Sequence, residues 1–268
     1  MNKAGIAVIE DKKPLVLLRG LTRGKLHWGD FTRQLQQAFP AYQVLPVDLA
    51  GNGSRFREES PVDICVAVED IRHQLQCLQV EPPYNVLALS LGGMITLQWI
   101  KQYPEELDFA CVINTSHAGL CSLFERIRPL SMLILLSAVF MPLQWREKQV
   151  FRLTSNQPYN QAIIDSWVQI AKEEPVSIPN FVRQMRLARS FTQAISNGSR
   201  KLVFLASRAD KLVNPVCSET IAQAVGAPLF FHGSAGHEIT LDDPLWVIDC
   251  LHKCFDGKTS DIVSDNKS

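Results

Sequence analysis

Short apolar runs alternate along most of this chain with longer stretches in which apolar residues recur every three or four positions, so strands and helices take turns. Residues 15–18, 42–48, 84–89, 109–114, 202–206 and 229–232 are predicted as strands. A further apolar run, 6–10, precedes the first of these across Asp-Lys-Lys-Pro and suggests a hairpin leading into it. Between the strands, 27–39 carries Trp28, Phe31, Leu35 and Ala38 at helical spacing and is stopped by Pro40. Ser60-Pro61-Val62-Asp63 offers a capping hydroxyl, a proline and an acid in the first turn of a second helix. Ile64, Ala67, Val68, Ile71, Leu75 and Leu78 mark its buried face, and Pro82-Pro83 lies beyond its end. Residues 94–103 read as a third helix, Asn214 and Pro215 cap a later one that Gly226 ends, and a last one runs from Asp243-Pro244 to about Phe255. Alternation with short connections predicts an α/β fold, a mostly parallel central sheet with helices on both faces.

The alternation stops between 117 and 195. Helical patterns broken by Pro129, Pro142, Pro158, Pro175 and Pro179 predict a helical cap inserted over one end of the sheet. The expected organisation is therefore a core of 1–116 and 196–256, a cap of 117–195 and a polar, disordered tail of 257–268. The most apolar stretch, 129–143, is shorter than the roughly 18 residues that span a bilayer and has proline at both margins. Its plain reading is a buried helix of the insertion; the alternative is a lid helix that lines an apolar pocket or touches lipid.

Composition narrows the possible partners. Lys plus Arg and Asp plus Glu are 27 each among 268 residues, so no net field attracts nucleic acid or an anionic membrane. The first residues lack the apolar core and cleavage site of a signal peptide, which places the expected location in the cytoplasm. Seven cysteines, an odd number in apolar surroundings, suit reduced buried thiols. Cys250 and Cys254 are one helical turn apart, but no second Cys or His pair answers them, so neither metal nor cofactor is implied.

The chemistry gathers at strand ends. Ser90 lies where the strand 84–89 turns straight into a helix, with small Ala88 and Gly92 two residues to either side, as in the G-x-S-x-G elbow with one extra methyl group. Alone, such a serine could be no more than a helix cap. However, Asp210 follows the strand 202–206 and His237 follows the strand 229–232, and a parallel sheet gathers all three on one edge in the order Ser, Asp, His. Asp242 and Asp243 follow His237 too closely to be its partner and suit a helix cap. Asp48 is expected to bond loop N–H groups, Ser116 and His117 to be satisfied polar groups at the base of the insertion, and Trp28 to pack.

These motifs resemble those of the α/β-hydrolase fold, close to the small cytosolic carboxylesterases with a helical cap, over 15–255. Leu-Leu-Arg-Gly-Leu at 17–21 resembles the family's oxyanion loop, Asp-Leu-Ala-Gly-Asn-Gly-Ser at 48–54 its second loop and Ala-Leu-Ser-Leu-Gly-Gly at 88–93 its elbow. The segments 207–215 and 233–237 resemble its acid and histidine loops. Arg19 departs from the usual His and Ala88 from the usual Gly. The resemblance implies that His237 takes the proton of Ser90 as it attacks an acyl carbonyl, that Asp210 orients the imidazole, and that the N–H groups of Leu21 and Leu91 hold the oxyanion. The implied substrate is a small-molecule ester or thioester with an apolar acyl group, with no nucleic-acid partner and no stable membrane insertion. A lyase or C–C hydrolase acting on an anionic substrate is the alternative within the fold, with Arg19 and Arg23 as its hint. Ser90 at the elbow disfavours enzymes with a nucleophilic aspartate, and a retained triad disfavours a pure binding protein.

Overall fold

The computed structural model describes residues 12–193, 195 and 201–256. The proposed hairpin partner at 6–10 and the tail 257–268 lie outside these. Six strands, β1 (Lys13–Leu18), β2 (Tyr42–Val47), β3 (Tyr84–Leu89), β4 (Leu107–Ile113), β5 (Lys201–Ser207) and β6 (Leu229–His232), form one sheet in the order β2-β1-β3-β4-β5-β6. Every pairing is parallel. The six predicted strands are these six, with ends moved by no more than two residues.

Alternate strand residues feed two separate cores, as the twofold period of a strand requires. Val16, Leu18, Val86, Ala88 and Val112 pack beneath α2 (Ile64–Cys77), α3 (Leu91–Gln102) and α9 (Val216–Val225). Leu15, Leu17, Leu87, Leu89 and Ile113 pack on the other face beneath α1 (Phe31–Ala38) and α11 (Pro244–Phe255). β3 is buried along its whole length, which explains its uninterrupted apolar sequence. The chain moves from β1 outward to β2, then returns past β1 to β3. The edge between β1 and β3 is thus the switch point where open α/β sheets bind ligands.

Three helix starts differ from expectation, α3 beginning at Leu91, three residues before the predicted start. The stretch 27–39 is split: Lys25–Trp28 is a 3₁₀ turn, Gly29 takes φ +54°, and α1 begins only at Phe31. The second helix begins at Ile64 with Asp63 as its cap, the carboxylate accepting from Cys65 N–H. Ser60 does not cap it, because its buried hydroxyl donates instead to Ala50 C=O at 2.8 Å.

Among the described residues five helices lie between β4 and β5: α4 (Leu123–Arg126), α5 (Pro129–Ala138), α6 (Leu143–Thr154), α7 (Gln161–Glu173) and α8 (Ile178–Ser190). α8 is clamped onto the sheet edge through side-chain amides. Gln184 accepts from Thr22 N–H at 2.8 Å and donates to Asn52, while Asn180 accepts from Ser60 N–H at 2.9 Å. α5 corrects the reading of 129–143 as a buried helix: only Ser131 and Ala138 are buried, and Leu130, Leu133 and Phe140 are exposed at 70%, 62% and 86%. A short helix on the outside of a thin layer has one inward face, whatever the composition of the other. α10 (Ile239–Asp242) is a single turn leading into α11. Among the described residues no helix is long and apolar enough to cross a membrane.

Of the seven cysteines, all free, five are buried; Cys77 is exposed and Cys65 half-buried, against the expectation that all were buried.

Candidate active site

Ser90 occupies the corner between β3 and α3 at φ +56°, ψ −112°, a conformation that L-residues rarely adopt. It stands at the capping position of α3, yet its side chain makes no capping hydrogen bond. The simplest alternative for a serine here is therefore not its use. The turn is possible because its neighbours are small: a Cβ on Gly92 would lie 2.6 Å from Leu18 C=O and 2.8 Å from Arg19 C=O. A Cβ on Gly20 would lie 3.1 Å from that of Ser90, so the loop after β1 runs directly alongside the corner. Ala88, in place of the usual glycine, is fully buried within β3 between Leu18 and Val112 of the adjoining strands, where its methyl group is core.

Asp210 and His237 meet beyond the ends of β5 and β6. His237 Nδ1 is 2.7 Å from Asp210 Oδ2, with both residues almost wholly buried. The other oxygen, Oδ1, accepts from Leu212 N–H at 2.7 Å and Val213 N–H at 3.0 Å, so the carboxylate holds its own loop and the imidazole together. Asn114, at the end of β4 with φ +45°, braces the histidine loop by donating to His237 C=O at 2.8 Å. Burial pushes the His237 imidazole down, but the charge and hydrogen bond of Asp210, with Glu238 beyond, outweigh it and leave the ring above its ordinary value.

Ser90, Leu21 and Leu91 line one cleft, together with Met94, Leu123 and Leu135. Among the described residues the N–H groups of Leu21 and Leu91 have no hydrogen-bond acceptor, whereas those of Ser90, Thr22 and Arg23 do. Two donors from adjacent strand ends thus remain open beside the serine. Ser90 Oγ makes no hydrogen bond to His237 among the described residues, an arrangement common in unliganded sites that tighten on binding substrate.

Arg19 does not enter this cleft. Its guanidinium lies over Trp28 at 4.6 Å and forms two bonds to Glu238, of 2.9 and 2.6 Å, with both side chains buried. Burial would raise the Glu238 carboxyl, but Arg19 overrides it and holds the group below its usual range. Arg23 is likewise taken, by Glu147 of α6 at 2.8 Å, and lies over Trp167. The two arginines offered as a sign of an anionic substrate are therefore both neutralised by glutamates.

The remaining expectations fall as follows. Asp48 accepts from Lys25 N–H and Ser54 N–H, tying two loops together. Asp242 accepts from Gly236 N–H, Ser155 and Asn156, and Asp243 caps α11. His117 is satisfied by Gly119 N–H and Gln193 C=O. Ser116 lines the Ser90 cleft and accepts from Arg126 Nε at 3.3 Å. No group of three or more His, Cys, Asp or Glu suited to a metal ion exists among the described residues.

With this geometry in place, the comparison with known families is decisive: the model of the alpha/beta hydrolase family matches residues 15–249. The chain belongs to this family. No curated protein sequence matches it. Solved structures of similar fold include a carboxylesterase of the ammonia-oxidizing thaumarchaeon Nitrososphaera gargenis, 16% identical, with a TM-score of 0.74 over 94% of this chain and 93% of that one. Another is 2-hydroxy-6-oxo-6-phenylhexa-2,4-dienoate hydrolase (BphD) from Rhodococcus sp. strain RHA1, 18% identical, TM-score 0.71, covering 92% of each chain. A third is the esterase EaEST from Exiguobacterium antarcticum, 12% identical, TM-score 0.67, covering 90% of this chain and 91% of that one. At these identities the likeness is one of fold. What the alpha/beta hydrolase frame does here follows from its own side chains.

Proposed function

We propose that this alpha/beta hydrolase cleaves carboxylic esters, with Ser90 as nucleophile, His237 as general base, Asp210 as its orienting acid and the N–H groups of Leu21 and Leu91 as the oxyanion donors. The observation that carries the reading is the corner at Ser90: a strained, uncapped hydroxyl beside two N–H groups without acceptors. A serine hydroxyl is a poor nucleophile until a neutral imidazole removes its proton as it attacks the carbonyl carbon. The carbonyl oxygen then becomes an oxyanion within reach of both donors, each worth on the order of 3 kcal/mol. His237 returns the proton to the leaving alkoxide. A water molecule, deprotonated by the same imidazole, attacks the acyl-enzyme and releases the acid. The helices between β4 and β5 serve as the cap, with α5 turning Leu135 toward the acyl group. A thioester would follow the same steps with a thiolate leaving. The C–C hydrolase alternative loses the support of Arg19 and Arg23, since both pair with glutamates.

The test is covalent trapping. A fluorophosphonate is expected to lose fluoride and leave one phosphonyl group on Ser90, located by peptide mass spectrometry, and p-nitrophenyl esters of rising acyl length to show an optimum. Absence of both labelling and turnover would sink the reading. The acid limb of kcat/KM follows from the geometry as well. The base must be neutral, and its ring is held above 6.5, so activity is expected to fall with a midpoint above that value as pH is lowered. A midpoint below 6.5 would mean that Asp210 does not act on the working imidazole.

A further inference from the structure

The Ser90 cleft holds a cation that the reaction does not use. Arg126, at the end of α4, is 7% exposed and lines the cleft together with the serine. Its Nε donates to Ser116 Oγ at 3.3 Å and its Nη2 to Ala188 C=O at 2.6 Å, so both of its hydrogen-bond partners are neutral. Among the described residues it has no carboxylate within ion-pair distance. That sets it apart from Arg19 and Arg23, the other two buried arginines, each of which has a glutamate. A second arginine, Arg189, stands exposed at the rim of the same cleft. The rest of the wall is largely apolar, with Leu21, Met94, Leu123, Ile127, Leu135 and Met185.

A buried guanidinium without a carboxylate is costly, and such groups are ordinarily paired with one. Burial pushes Arg126 below the usual arginine range; the nearby thiols of Cys217 and Cys121 push it back up, and Arg189 adds to the lowering. Two N–H donors already committed to fixed neutral acceptors hold the fork in place, leaving its charge available to the cleft. An apolar wall with one fixed cation matches an apolar chain that ends in an anion.

Resting on the esterase reading above, we infer that the preferred substrate is an ester whose acyl chain carries a carboxylate at its far end, an apolar stem separating it from the scissile carbonyl, and that Arg126 binds that carboxylate with Arg189 at the rim. The acyl part is the one implied, because it stays bonded to Ser90 after the alcohol leaves and must be housed by the cleft that Ser90 lines. Arg126 is then a specificity residue: it touches the substrate but not the reacting atoms.

The test compares p-nitrophenyl hexanoate and octanoate with the p-nitrophenyl half-esters of adipic and suberic acids, which place a carboxylate at the end of chains of the same length. Wild-type kcat/KM is expected to favour the half-esters by about 10-fold or more, as a charge-assisted bond supplies. Arg126→Gln is expected to bring that ratio to about one, and Arg189→Gln to lower it by about threefold. A wild type that prefers the neutral esters, or an Arg126→Gln protein that keeps the ratio, would overturn the inference. The wild-type comparison needs no variant and so stands even if loss of the Ala188 contact unfolds Arg126→Gln. Calorimetric binding of the adipate half-ester to Ser90→Ala separates the two proposals. Binding that Arg126→Gln removes supports the anionic subsite even where no ester is turned over, and binding no tighter than that of the hexanoate ester overturns it.

Discussion

Replacing Ser90 with alanine is expected to lower kcat for a p-nitrophenyl ester by about 10⁴- to 10⁶-fold while leaving the fold unchanged, because the proposed acyl-enzyme route is removed and only binding and the proposed oxyanion donors remain. Glycine at the same position gives a second, independent reading. Ser90 holds φ +56°, where a Cβ is strained and glycine is not, so Ser90→Gly is expected to be as inactive as alanine yet more stable than the wild type by about 1 kcal/mol. The measurement is esterase rate beside thermal midpoint for the three proteins. A Ser90→Gly protein that melts below the wild type would show that the hydroxyl stabilises the corner, as a cap does, and would count against its being held free for chemistry. Activity retained in both variants would remove the serine from the mechanism.

The second large effect concerns Arg19 and Glu238. Arg19→Met is expected to cost about 3–5 kcal/mol, because it leaves Glu238 buried without its cation, whereas the double change Arg19→Met with Glu238→Leu recovers most of the loss. Against a total stability of about 5–15 kcal/mol for a folded domain, the single change is severe. The pair also faces His237, the proposed base: Glu238 pushes its ring up and Arg19 pushes it down. Glu238→Gln therefore lowers the acid limb of kcat/KM, while Arg19→Met raises it wherever Glu238 stays ionised. Urea unfolding and pH profiles of the three variants check both halves. A double variant no more stable than the single, or an acid limb that ignores Glu238, would reduce the pair to inert packing.

Residues close in sequence were legible and residues close only in space were not. The strand at 84–89 could be read to the residue because burial on both faces leaves no polar position to blur it. The order of Ser90, Asp210 and His237 could also be read, since parallel strands place their C-terminal ends together whatever the loops do. The helix start at Ser60 could not. Its capping pattern is sound in isolation, but the hydroxyl finds Ala50 C=O across the loop, and Asp63 takes over the cap. Helical spacing across 27–39 likewise hides the break at Gly29, because periodicity says nothing of a single residue's φ. The arginines show the limit most clearly. Arg19 and Arg23 lie in the loop nearest Ser90 and looked available, yet their glutamates come from 219 and 124 residues further along. Arg126, in an unremarkable helical turn of the insertion, is the one left facing the cleft. Hydropathy misled at 129–143 for a related reason: it measures how apolar a segment is, not which side of it has anything to pack against.

The span between Arg19 and Glu238 also bears on how the protein is made. Ser90, Leu21 and Leu91 belong to the part of the chain synthesised first, whereas Asp210, His237 and the counter-charge of Arg19 all follow residue 209. Domains commonly fold as they emerge from the ribosome, N-terminal portions first. A nascent or truncated chain ending before residue 237 therefore carries Ser90 without His237 and Arg19 without its partner. The segment that follows the last strand supplies both at once, so His237 and the settling of that charge arrive together.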